Sequence, residues 1–163
     1  MNIDDYDWEA FTRGAANALW ADLYITEVEF LCELARETKS AEAMEACRAL
    51  SPGPGGSWDD YIPPVPRSAL AEARQFTARV QEKISPQTLR ELDEVMTPER
   101  AGWLAMMQAL GHGIGWADEG VRAESELKIR WEPSWEVRNA AFSAVERQLE
   151  REGFDPEILQ ESP

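Results

Sequence analysis

The sequence predicts an all-α fold, and three observations carry that expectation. Long stretches lack proline and place apolar residues at +3 and +4 spacing. Ser or Thr followed by proline opens several of them, and glycine- or proline-rich gaps separate them. The pattern amounts to five to seven helices in one domain spanning residues 1–163, with a packed Pro/Gly-rich loop at 51–66. A short strand or hairpin near 126–131 is the one departure that the pattern allows.

Between Asp7 and Thr38 there is no proline and one glycine, Gly14, which reads as a long helix. Its apolar stripe changes phase. Trp8, Phe11, Ala15 and Leu19 share one face, whereas Trp20, Tyr24, Val28, Leu31 and Ala35 share the opposite one. Either the helix breaks near Ala21 or different partners bury its two faces in turn; an unbroken helix, with room for a bend, is the expectation. Ser40 caps a short helix over Ala41–Leu50. The segment S-P-G-P-G-G-S-W-D-D-Y-I-P-P-V-P cannot be regular structure, yet Trp58, Tyr61, Ile62 and Val65 tie it to a core.

Ser68 is the expected cap of a helix over Ala69–Ile84. Ser85-Pro86 and Thr97-Pro98 each open a further helix, with proline at the first position where no N–H is needed. The second of these runs over Pro98–Leu110 and stops at Gly111. Val121–Glu132 is ambiguous: Leu127, Ile129 and Trp131 alternate as in a strand, while Ala123–Ile129 also fits a helix. Pro133-Ser134 begins a last long helix to Glu152, closed by Gly153, and Asp155-Pro156 allows one more turn.

Charge is the strongest compositional signal. The chain carries 31 acidic and 16 basic residues, formally −15, with 11 acids against 4 bases in residues 1–50 and 12 against 6 in residues 101–163. Such a surface disfavours direct contact with nucleic acid or an anionic membrane and favours basic partners. At 163 residues, 44% hydrophobic and with seven tryptophans, the chain has the means to build a core without metal or cross-links. Cys32 and Cys47 are expected to stay reduced in a cytoplasmic setting, there being no signal peptide or long apolar run. Two cysteines and one histidine fit no zinc spacing, so no metal and no cofactor are expected.

Two acidic lines stand out. Asp22, Glu29, Glu33 and Glu37 project together from the first helix, and Glu132, Glu136, Glu146 and Glu150 form a second line along the last. Carboxylates one turn apart sit about 5–6 Å from each other at Cβ and repel mildly. DNA presents about one negative charge per 1.7 Å of axis, so acid-lined helices are one way to imitate it. The plainer reading is a solvated face. Trp58, Trp131 and Trp135 are candidates for a partner-facing patch, against the plainer reading as core, whereas Trp8, Trp20 and Trp103 read as core.

The stretch G-H-G-I-G-W-A-D, Gly111–Asp118, holds the only histidine. His112 with Asp118 or Glu119 could serve acid/base or ligand chemistry. Gly111, however, stands where a helix-stopping glycine belongs, and the pattern lacks the strand and helix of a nucleotide fingerprint. The Asp59-Asp60 pair reads as a solvated turn before it reads as a cation site.

F-T-R-G-A-A-N-A-L-W (Phe11–Trp20), A-G-W-L-A (Ala101–Ala105) and G-H-G-I-G-W-A-D resemble a family of small acidic phage and prophage proteins of uncharacterised function, over about residues 11–120. D-D-Y-I-P-P (Asp59–Pro64) is similar to that family's acidic, proline-containing middle region. Ala15 departs from the family's tyrosine, Trp103-Leu104 from its D-F and Trp116-Ala117 from its F-W. The resemblance transfers no catalytic residue. It implies a phage or mobile-element origin, where small acidic helical proteins often act as anti-CRISPR or anti-restriction inhibitors.

The expectation is therefore a non-enzymatic DNA mimic in the host cytoplasm. It would occupy a basic nucleic-acid-binding surface of a host defence protein, touching neither nucleic acid nor membrane itself. A small enzyme or ligand-binding protein built on the His112 loop, and a phage structural or assembly protein, are the alternatives.

Overall fold

The structure, a computed structural model, describes residues 2–159 apart from 54 and 123. The fold is all-α. Among the described residues there are seven α-helices and no strand: α1 (Trp8–Thr38), α2 (Ala41–Leu50), α3 (Arg67–Lys83), α4 (Pro86–Val95), α5 (Pro98–Ala109), α6 (Glu124–Leu127) and α7 (Trp135–Arg151). Short 3₁₀ turns lie at Ile3–Asp5 and Pro156–Leu159, the latter being the extra turn expected after Asp155. No helix among the described residues is long and apolar enough to cross a membrane.

The chain forms two compact units, Met1–Trp20 with Val65–Val137 and Ala21–Pro64 with Arg138–Pro163. This division accounts for the phase change in α1. The helix is unbroken, and its stripe shifts where the chain leaves the first unit at Trp20 and enters the second at Ala21. Up to Trp20 the helix is buried on all sides but one line, Glu9, Arg13 and Asn17, which is exposed; beyond it Tyr24, Val28, Leu31, Leu34 and Ala35 form a one-sided core face.

In the first unit α1 and α5 meet at two glycines. A Cβ on Gly14 would fall on the carbonyl of Glu99, and a Cβ on Gly102 on the carbonyl of Phe11. The approach is reciprocal, each helix offering a bare Cα to the other's backbone oxygen, a contact type that recurs where helices cross closely. The motifs R-G and A-G-W therefore meet in this crossing. Ser85 and Thr97 cap α4 and α5 as expected, accepting from Thr88 N and Arg100 N at 3.2 Å each. Helix α3 starts earlier than expected, at Arg67, and Pro66 precedes it with no side-chain cap, so Ser68 lies inside the first turn.

The expected strand or hairpin near 126–131 is not formed. Residues Glu124–Leu127 make one helical turn, and Ala123 lies outside the described residues. Beyond it the chain has no regular structure, Ile129 N donating to Leu127 O at 3.1 Å, and burial alternates as predicted, with Ile129 buried and Lys128 and Arg130 exposed. Its hydrogen bonds go to a helix end rather than a strand. Trp131 N donates to Ala109 O at 3.0 Å, and Gln108 Nε2 donates to Leu127 O at 2.7 Å. A lone segment without a partner strand is held by whatever donors and acceptors lie beside it.

Two carboxylates pin this region. Glu126 accepts from Ser85 N at 3.0 Å, from Ser85 Oγ at 3.2 Å and from the Thr88 hydroxyl, so α6 is fastened to the start of α4. Glu72, buried within the apolar stripe of α3, accepts from Ser134 N at 2.9 Å just ahead of α7.

In the second unit α1 and α2 form an αα-hairpin. Lys39 takes a left-handed φ of 55°, and Ser40 caps α2 by accepting from Ala43 N at 3.2 Å. Cys32 and Cys47, each seven residues from that turn, are joined in a disulfide with Cα atoms 5.2 Å apart. The expectation of two reduced thiols is overturned, because an antiparallel hairpin sets residues equidistant from its turn side by side.

Candidate functional site

The acidic surface concentrates in the second unit. Its segments hold 15 acidic and 6 basic residues, against 16 and 10 in the larger first unit. On α1, Glu29, Glu33 and Glu37 are exposed along one line, and Asp22 at its head is half-buried. Among the described residues no base stands within ion-pair distance of Glu29, Glu33 or Glu37. Phe30 projects among them with 57% of its surface exposed. The sequence pattern hid this residue, since an aromatic next to Val28 and Leu31 reads as core. A large apolar side chain framed by carboxylates is the arrangement of a binding anchor with a charged rim. On α2, Glu42, Met44 and Glu45 are also exposed.

The second acidic line is not assembled as expected. Glu132 lies in the segment before α7, not on the helix. Glu136 is exposed on the first turn, where a carboxylate complements the helix dipole. Glu136 belongs to the first unit, whereas Glu146, half-buried, and Glu150, exposed, belong to the second.

The three tryptophans part ways. Trp135 is 78% exposed. Trp131 packs edge-on against Phe76 with ring centroids 5.6 Å apart, its Nε1 buried without a hydrogen-bond partner. Trp58 is half-buried and meets Tyr61 edge-on at 6.3 Å, so the proline loop folds on its own aromatics. Trp103, expected in the core, is instead 37% exposed, beside the close crossing at Gly14 and Gly102.

The His112 loop is a helix stop. Gly111 adopts φ 105°, Gly111 N donates to Gln108 O and His112 N donates to Met107 O, both at 3.0 Å. This is the Schellman pattern, whose left-handed residue is glycine for want of a Cβ. His112 is exposed. The Asp118 carboxylate lies over Gly115, and Glu119 forms an ion pair with Arg100 at 3.3 Å. The adjoining cavity of about 320 Å³ is lined by Gly113, Ile114 and Ile129, with His112, Asp118 and Glu119 outside its lining. Among the described residues no cluster of three or more His, Cys, Asp or Glu side chains could hold a metal ion.

One acidic group in the second unit has a shifted equilibrium. Burial raises the Glu27 carboxyl above its ordinary value, and the Arg138 guanidinium pulls it partly back. A raised folded-state pKa contributes stability that is complete below the unfolded pKa and is lost as pH rises through the folded value. Melting temperature is therefore expected to rise as pH falls from 7 toward the ordinary carboxylate range, and Glu27→Gln to raise it at pH 7 and flatten that limb. Thermal melts of both proteins across that range check it; identical profiles would refute the assignment.

No protein-family model matches this chain, and neither does any curated protein or solved structure.

Proposed function

We propose that the protein is a non-enzymatic inhibitor of phage or mobile-element origin. In this reading it occupies a basic, nucleic-acid-binding surface on a host defence complex, in the manner of anti-CRISPR or anti-restriction proteins. The observation that carries the reading is the α1 face: Glu29, Glu33 and Glu37 at one-turn spacing around exposed Phe30, in a unit with 15 acids and 6 bases. Three carboxylates at four-residue intervals rise about 6 Å each along the axis. They give a partner a linear row of negative charge, and Phe30 supplies the apolar anchor that a charge row lacks. The resemblance of Phe11–Trp20 and Gly111–Asp118 to phage proteins supplies the biological setting.

The test has two stages. Affinity capture from a bacterial lysate, read by mass spectrometry, identifies the partner, which is expected to be a nucleic-acid-binding protein. Affinity for the purified partner is then expected to fall about tenfold or more between low and moderate salt, as for an interface dominated by exposed charge. It is also expected to fall with Glu29, Glu33 and Glu37 all changed to Gln. Affinity indifferent to both salt and the triple variant would overturn the reading.

A further inference from the structure

A concave site lies elsewhere, in the first unit between the start of α1 and the middle of α3. It is a half-open cleft of about 460 Å³, a volume within the range of small-molecule sites. Its polar part contains Thr12 and Thr77, only 6% and 4% exposed, with their hydroxyls 2.8 Å apart. Trp8 and Leu70, both half-buried, supply apolar wall, and the exposed Arg13 and Arg74 complete the lining from α1 and α3 respectively.

Two features suit the cleft to an anion. Arg13 and Arg74 enter its lining from different helices, and among the described residues neither makes an ion pair or a hydrogen bond, so both guanidinium groups are open to a ligand. Glu9, one turn before Arg13 on the same lining, stands outside ion-pair distance of it. The second feature is the threonine pair. Thr12 Oγ1 lies 2.8 Å from Trp8 O, and Thr77 Oγ1 lies 2.9 Å from Ala73 O. Two hydroxyl protons thus have four acceptors within reach, Trp8 O, Ala73 O and each other's Oγ1. Turning one proton toward a ligand in the cleft exchanges one hydrogen bond for another.

We propose that this cleft binds a small organic oxyanion, a carboxylate or a phosphate ester, whose apolar or planar body rests on Trp8 and Leu70. Arg13 and Arg74 hold the anionic group, guanidinium being the side chain whose fork matches carboxylate and phosphate oxygens. A threonine hydroxyl donates to one of the remaining oxygens. The site is independent of the acidic α1 face and uses other residues.

Calorimetric titration with phenyl phosphate, benzoate and the neutral analogue benzyl alcohol tests it. Either anion is expected to bind more tightly than benzyl alcohol, and the tighter of the two identifies the phosphate or the carboxylate source. Arg13→Gln and Arg74→Gln are each expected to weaken the preferred anion by about tenfold, the loss of a charge-assisted hydrogen bond. Both side chains are exposed, so the melting curves are expected to stay unchanged, and Thr77→Val tests the hydroxyl separately. Anions that bind no better than benzyl alcohol, or arginine variants that bind as the parent does, would overturn the proposal.

Discussion

Replacing Gly14 or Gly102 with alanine is expected to destabilise the protein by about 2 kcal/mol each, the largest effect of any single methyl addition in the chain. An added Cβ meets a backbone carbonyl in both places, Glu99 in one and Phe11 in the other. Backbone cannot swing aside as a flexible side chain can, so α1 and α5 must separate. Overpacking of this kind costs about 1–3 kcal/mol and occasionally more. Alanine's better helix propensity returns about 1 kcal/mol, which is why the net figure is not larger. The two glycines share one crossing, so the double variant is expected to lose less than the sum, the first alanine having already opened the gap. Gly113→Ala is the control, because nothing lies within 4 Å of its added Cβ. Calorimetric melts of the four variants and the parent decide it. Gly14→Ala and Gly102→Ala melting with the parent would show that the helices can part without cost.

Opening the Cys32–Cys47 bond is expected to cost about 3 kcal/mol, the value for a loop of this size when the cross-link no longer restrains the unfolded chain. The loss belongs to the second unit, which alone contains both cysteines. Denaturant unfolding with and without reductant, beside a Cys32→Ala/Cys47→Ala variant, measures it. Reductant and the double variant are expected to act alike, and hydrogen exchange to quicken in α2 more than in α4 or α5. Equal stability in all three samples would make the bond incidental. Trapping thiols in the producing cell shows which form is present there, because a reducing cytosol keeps such a pair open.

Local chemistry made much of the fold legible. Ser40, Ser85 and Thr97 cap where their sequence context says, since an N-cap needs only a hydroxyl and the N–H groups of the next turn. Gly111 stops α5 for an equally local reason. The alternating burial over Lys128–Arg130 was readable from the pattern, but not the absence of a strand. Whether a partner lies alongside is a long-range fact. Trp103 misled for the same reason, its surroundings being set by how closely distant segments approach. Gly14 and Gly102 gave a signal that sequence reasoning passed over. Each is a glycine inside a helical run, tolerated at a cost and usually explained by packing.

By itself the sequence determined the helices, their caps, the excess of negative charge and the stop at the only histidine, because each depends on neighbours within a turn or on composition. Only the tertiary structure decided which carboxylates share a face, that Phe30 stands exposed among them, that the cysteines meet, and that two unpaired arginines border one cleft. These depend on contacts between residues as far apart as Thr12 and Thr77, and no local pattern encodes such a distance.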